Sequence, residues 1–323
     1  MGRYPFTDCL NEYLPAEDGH LSDETLATTK RRLRQIGKIF HQLKGDGRVS
    51  SDNPRKISEK DIDVFVGYRK KSGVKNTTIQ KDLSYLSKLF VYFDNDAVSR
   101  FKVRYPSHVP KTNHIRLPPM GDEIVARIIE RASMIDVEDW KLMEAYGLVT
   151  VAICTGLRAK ELRLLSVRNV IIDENGAKIF AERVKGEGSY GQARWVPVHI
   201  DGVEILNRYL VARRIKLNSC GKDESALFPP IFNDGGFLSY KSIRIFKTYV
   251  EKDIGERFDL RKCRRTFGQR AVNEGHDFHN VSLAMGHTSL ATTQKNYCDK
   301  EQKSAVEEMR SFWSERTKEK EGV

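Results

Sequence analysis

"CTGLRAKELRLL", residues 154–165, lies between two apolar runs, "YGLVTVAI" (146–153) and "LRLLSVRNVII" (162–172). Thr155, Gly156 and Leu157 read as a helix-breaking turn, and Arg158 and Glu161 then open a new helix. The flanks belong to a core, so Arg158 must be paired or hydrogen-bonded, because an isolated buried charge is very costly. Two readings follow. Arg158 is half of a structural ion pair, or it is aimed at an anion.

The turn-then-helix reading places the stretch inside a second, larger domain. Upstream of it, "GDEIVARIIERASM" and "DWKLMEAYGLVTVAI" have helical patterning. Downstream, "NVIIDENGAKIFAERV" and "ARWVPVHI" read as short strands, rich in β-branched residues and bounded by glycine. Helices return with "VEILNRYLVARRIKL", "SYKSIRIFKTYVEKDI", "RRTFGQRAVNEG" and "HNVSLAMG". Residues 21–96 are expected to form a small all-helical unit. There Ser22 is an N-cap, and Leu26, Leu33, Ile36, Phe40 and Leu43 recur at helical spacing. A second helix starts at Ser58 with Ile62, Phe65 and Val66 on one side. A third starts near Asn76 and carries Ile79, Leu83, Leu86, Phe90 and Phe93. Lys30, Arg31, Arg32, Arg34, Lys38, Lys81 and Lys88 occupy the opposite faces, as a solvated surface or as one that contacts a polyanion backbone. Between the units, residues 98–116 contain Pro106 and Pro110, five Lys/Arg and no acid, and are expected to be an extended basic linker. The expected division is therefore 1–97, a linker at 98–116, a mixed domain at 117–300 and a helical tail at 301–323. In the tail, Ala305, Met309, Phe312 and Trp313 form an apolar stripe.

With 323 residues the chain can hold two cores, and a formal net charge of +11 makes a polyanion the first partner to consider, nucleic acid above membrane. No apolar run approaches the ~20 residues that cross a bilayer. The N-terminus lacks a signal-peptide layout, so a cytoplasmic protein is expected. The five cysteines are odd in number, dispersed and never in CxxC spacing, which argues against a disulfide framework or a zinc site.

Several cations of the larger domain sit beside turns and helix starts. Lys185 lies next to Gly186 and Gly188 between two strands. Arg261, Lys262, Arg264 and Arg265 crowd the start of one helix, and Gly286-His287 is followed ten residues on by Tyr297, the last tyrosine of the chain. A helix N-terminus already favours anions. Guanidinium forks clamp nonbridging phosphate oxygens, a turn lysine can protonate a leaving alkoxide, and a tyrosine among cations can be a nucleophile. The set suggests chemistry on a phosphodiester. Each member also has an ordinary reading alone: a helix ion pair, a solvated lysine, a non-catalytic phosphate grip, a core histidine, a packing tyrosine. What favours the chemical reading is their joint order.

In that order the motifs "TGLRAKELRLL", "VKGEG", "RKCRRTFGQRAV" and "MGHTSLATTQKNY" make the chain resemble the tyrosine recombinases of the lambda-integrase family. The N-terminal "GVKNTTIQKDLSYLSKLFVYF" is similar to that family's helical core-binding domain. The resemblance implies a mainly α fold with a small β-sheet, in which a helical core-binding domain is joined to a mixed α/β catalytic domain. It implies a site-specific recombinase that forms a 3′-phosphotyrosyl intermediate on double-stranded DNA, without cofactor or metal, as a homo-tetramer on two sites. Arg158 matches the first catalytic arginine, Glu161 the acid behind it, Lys185 the general acid, Arg264 the second arginine, His287 the histidine and Tyr297 the nucleophile. Arg261 stands where the family usually has histidine, and it can only donate. The rivals are a non-catalytic DNA-binding accessory protein on the same fold and a type IB topoisomerase-like activity.

Overall fold

The computed structural model describes residues 4–112, 117–184, 186–187, 191–231, 235–291, 293 and 309–310. The chain divides into two compact units, 1–114 and 115–323.

The first unit is helical: α1 (Pro5–Ala16), α2 (Asp23–Gly45), α3 (Glu59–Lys71), α4 (Asn76–Tyr92) and α5 (Ala97–Arg104). Ser22 caps α2 by accepting from the Thr25 N–H, and Ser58 and Asp61 form a reciprocal capping box at α3. The expected stripe of α2 is the buried one, since Leu33, Ile36, Phe40 and Leu43 all lie in the core. Phe40 stacks on Phe65 of α3 with centroids 5.0 Å apart. One cation of the outer faces is turned inward. Arg32 pairs with the fully buried Asp82 at 2.6 Å, and Arg69 holds the other carboxylate oxygen at 3.0 Å.

Two features differ from the sequence expectation. Helix α1 precedes the expected helical unit, starts at Pro5 and buries Phe6, Leu10 and Tyr13. The expected linker does not begin at 98. Helix α5 occupies 97–104 and buries Ala97, Val98 and Phe101, whose helical spacing is masked by the basic residues between them. Beyond it, Lys70 donates to the His108 carbonyl at 2.8 Å and Gln80 to the Pro110 carbonyl at 2.6 Å, so this stretch is tied to the first unit.

The second unit is built around α7 (Trp140–Thr155), which is buried continuously from Met143 to Thr155. A helix apolar on every side belongs at the centre of a core. Around it pack α6 (Asp122–Ser133), α9 (Val203–Ser219), α10 (Tyr240–Ile254) and α11 (Leu260–Asn273). The short α8 (Ala159–Arg163) follows α7, and α12 (Phe278–Met285) follows α11. Strands β1 (Val170–Asp173), β2 (Gly176–Ala181) and β3 (Arg194–Val198) form one antiparallel sheet in the order β1-β2-β3. Ile179, Val196 and Val198 face the core from this sheet. The fold is mainly α with a small β-sheet.

Candidate active site

Three segments of the second unit meet at the C-terminal end of α12. The first is the turn at residues 155–157. Helix α7 ends on Gly156 in the left-handed conformation (φ 62°), and an added Cβ there would lie 2.7 Å from the Phe267 ring. The chain then reverses into α8 with Leu157 and Leu162 in the core. Glu161, whose side chain is fully buried, reaches back to the N-cap, accepting from the Arg158 N–H at 3.0 Å and from its Nη1 at 2.8 Å. The pair is thus present, but it does not exhaust Arg158. Its Nη2 donates to the Gly286 carbonyl at 2.9 Å, and 28% of its side chain remains exposed.

The second segment is α11. Asp259 caps it by accepting from the Lys262 N–H at 2.6 Å. The four cations at its start go to different places. Arg264 is buried and donates Nη1 to the Gly156 carbonyl at 2.7 Å and Nη2 to the Met285 carbonyl. Arg265 points to the Pro118 carbonyl at 3.2 Å, where it fastens the start of the second unit. Arg261, one turn before Arg264, is exposed, and Lys262 is half-buried.

The third segment is the end of α12, where Gly286 (φ 66°) turns the chain into His287. The Arg264 guanidinium lies 2.9 Å from His287 Nε2, and since a guanidinium only donates, Nε2 is the acceptor. The ring proton is then on Nδ1 and is donated to Thr293 Oγ1 at 2.6 Å. Thr293 donates onward to Ser282 Oγ at 2.9 Å. Burial, followed by the charges of Arg264, Arg158 and Arg194, pushes the imidazole down to about 3, so His287 is neutral through the physiological range.

Arg194, at the start of β3, is a member of this cluster that the sequence analysis missed. It donates to both oxygens of Glu161, at 3.1 and 3.4 Å, and to the carbonyls of Ala284 at 2.8 Å and Met285 at 3.1 Å. Its signal was in the strand pattern, because Arg194 alternates with Val196 and Val198 on the inward face. Thr293 and Ser282 carried no comparable signal. Burial works to raise the Glu161 carboxyl, but the charge and hydrogen bonds of Arg194, with the Arg158 N–H, outweigh it and hold Glu161 below the usual carboxylate range.

Three guanidiniums therefore converge on the carbonyls of residues 284–286, the negative end of a helix whose last acceptors need partners. Glu161 is the carboxylate that offsets them, which leaves an excess of positive charge facing outward through Arg158. Guanidinium donors with an excess of positive charge are the chemistry that suits a phosphoryl group. Of the residues singled out by sequence, Arg158, Glu161, Arg264 and His287 are brought together here. Lys185 and Tyr297, and the tail stripe except the exposed Met309, lie outside the described residues. Among the described residues no cluster of three His, Cys, Asp or Glu could hold a metal, and no helix is long and apolar enough to cross a membrane.

The chain is similar to known proteins. Tyrosine recombinase XerC of Thermodesulfovibrio yellowstonii is 27% identical over 249 residues, covering 75% of this chain and 77% of that protein. Tyrosine recombinase XerD of Haemophilus influenzae is 25% identical over 242 residues, covering 72% and 75%. Among solved structures, the Tn1549 transposon integrase in complex with transposon right end DNA aligns with a TM-score of 0.67 at 17% identity, over 95% of this chain and 99% of that one. The XerH site-specific recombinase bound to palindromic difH substrate aligns with a TM-score of 0.66 at 20% identity, over 90% and 80%. At these identities the structural likeness establishes the fold. The model of the phage integrase family matches residues 125–304, more than half of the chain and all three segments of the site, and the chain belongs to that family.

Proposed function

We propose that the protein is a site-specific DNA recombinase that cuts and rejoins duplex DNA through a covalent phosphotyrosine. The observation that carries this reading is the convergence of Arg158, Arg264 and His287 on one turn, in a chain of the phage integrase family. In the reaction, Tyr297 Oη attacks the scissile phosphorus while Arg158 and Arg264 hold the nonbridging oxygens. The P–O5′ bond breaks, Lys185 gives its proton to the departing 5′ oxygen, and a 3′-phosphotyrosyl bond and a free 5′-hydroxyl result. The 5′-hydroxyl of a partner strand then attacks the same phosphorus and expels Tyr297, so the bond energy is conserved and neither nucleotide nor metal enters the balance.

Arg261 does not accept the tyrosine proton, since its guanidinium stays charged at any working pH. It acts as an additional phosphate contact. The proton goes to water, to a phosphate oxygen or to another side chain. Four protomers assemble on two duplexes, and the stripe Ala305, Met309, Phe312 and Trp313 docks on a neighbouring subunit. The protein works in the cytoplasm.

The relatives, which are recombinases, do not favour the accessory-protein or topoisomerase-like alternatives. The test is to select the protein's binding site from a random duplex pool and place two copies on a supercoiled plasmid. Exchange between the copies supports the proposal. Relaxation of a plasmid lacking the site, without exchange, would replace it with the topoisomerase reading, and site binding without either reaction with the accessory reading.

A further inference from the structure

We propose that Arg194 is a positioning residue of this site: it locks the hairpin base, the Arg158–Glu161 pair and the turn before His287 into one rigid geometry. The inference rests on the recombinase reading above.

Arg194 occupies a junction. It forms the last pair of the β2–β3 ladder with Ala181, so the loop that carries Lys185 in the sequence springs directly from it. Its side chain is 12% exposed and contacts two other segments at once. One edge of the guanidinium meets both oxygens of Glu161, the same oxygens that hold the Arg158 backbone and side chain. The other edge meets the carbonyls of Ala284 and Met285, and Met285 is also the acceptor for Arg264. The two flanking arginines are thus each one hydrogen-bonded partner away from Arg194.

The packing is as tight as the hydrogen bonding. A Cβ added at Gly286 would lie 2.5 Å from the Arg194 Cζ, so the glycine serves both the left-handed turn and the approach of this guanidinium. A residue needed only to hold the end of a strand would need none of the contacts across to α8 and α12. A planar fork can satisfy a carboxylate and two carbonyls together, whereas a lysine ammonium supplies one point charge on a flexible stem. The groups facing His287 are Arg264, Arg158 and Arg194 as cations and Glu161 as the anion, so removing Arg194 also changes the field at the imidazole.

The test compares Arg194→Ala and Arg194→Lys with the parent protein. Single-turnover adduct formation is followed on a nicked duplex carrying the selected site, alongside site affinity and thermal unfolding. The His287 ring is titrated by NMR in the DNA-free protein and assigned by its loss in His287→Gln. For Arg194→Ala we expect cleavage slower by a factor on the order of 10–100, the effect of misplacing reacting groups. Site affinity should stay within about twofold of the parent, because binding energy common to ground and transition states is spared. The His287 midpoint should rise from its depressed value. Arg194→Lys should keep His287 depressed, because the charge remains, but recover only part of the cleavage. Cleavage by Arg194→Ala within about twofold of the parent, or an unmoved His287 midpoint, would overturn the proposal. If the parent itself formed no adduct, the recombinase reading would fail. The titration would then judge the linkage between Arg194 and the His287 turn without any reaction.

Discussion

Replacing Glu161 with glutamine perturbs the centre of the arginine cluster while keeping its shape. The carboxylate accepts from Arg158 and Arg194 at each of its two oxygens. An amide in the same place must put its NH2 group against two donors, whichever way it is flipped. Breaking a buried ion pair by neutralising one partner costs about 3–5 kcal/mol. Arg194 keeps its two carbonyls, and Arg158 keeps the Gly286 carbonyl and some solvent exposure, so the lower end, about 3 kcal/mol, applies here. For a unit of this size that is a drop of about 6–12 °C in melting temperature. All three tryptophans, Trp140, Trp195 and Trp313, belong to the second unit, so intrinsic fluorescence follows its unfolding in the full chain. Because the folded Glu161 is held below its usual value, its stabilisation is present above the unfolded carboxyl's range and is lost as pH falls through the folded one. The gap between parent and variant should therefore be widest near neutrality and narrow in acid. A shift under about 2 °C at neutral pH, or a gap that does not close in acid, would refute this account of the cluster.

Gly156→Ala should destabilise the second unit by about 1–3 kcal/mol, from overpacking against Phe267 and the left-handed backbone, read as a lower fluorescence midpoint. His287, held neutral by burial and three arginines, should show no titration between about pH 5 and 8, with the Nδ1–H tautomer in its NMR spectrum; an imidazole protonating in that range would contradict the geometry. Arg264→Lys should lose most adduct formation, since a point charge cannot span Met285, Gly156 and a phosphate. Arg261→His should keep appreciable activity, and equal loss in both would give Arg261 a different role.

Much of this was legible because long periodic elements announce themselves. The stripes of α2 and α4 and the continuous apolar run of α7 needed no tertiary information. The turn at Gly156 and the Arg158–Glu161 spacing were equally local, and they led directly to the junction of α7, α8 and α12. Two kinds of feature were not. Helices without a marked start were one kind: α1 begins at Pro5 with no side-chain cap, and the apolar face of α5 was hidden under its basic residues as a linker. Partnerships between the sheet and the helices were the other kind. Arg194 and Glu161 are 33 residues apart, and only the fold brings them together. An arginine on the inward face of a strand signals that a partner exists but not which one. The sorting of the α11 cations also depended on tertiary contacts, since sequence spacing alone does not separate Arg264, which faces the site, from Arg265, which fastens Pro118.

The central claim is that a tyrosine of this chain becomes covalently joined to a DNA 3′ phosphate held by Arg158 and Arg264. The most direct measurement is to trap the protein on a nicked duplex bearing its selected site, digest the adduct, and identify the DNA-linked residue by mass spectrometry. The account predicts that the 3′ phosphate is found on Tyr297, and that Tyr297→Phe binds the same duplex but yields no adduct. An adduct on another residue, or a normal yield from Tyr297→Phe, would contradict it.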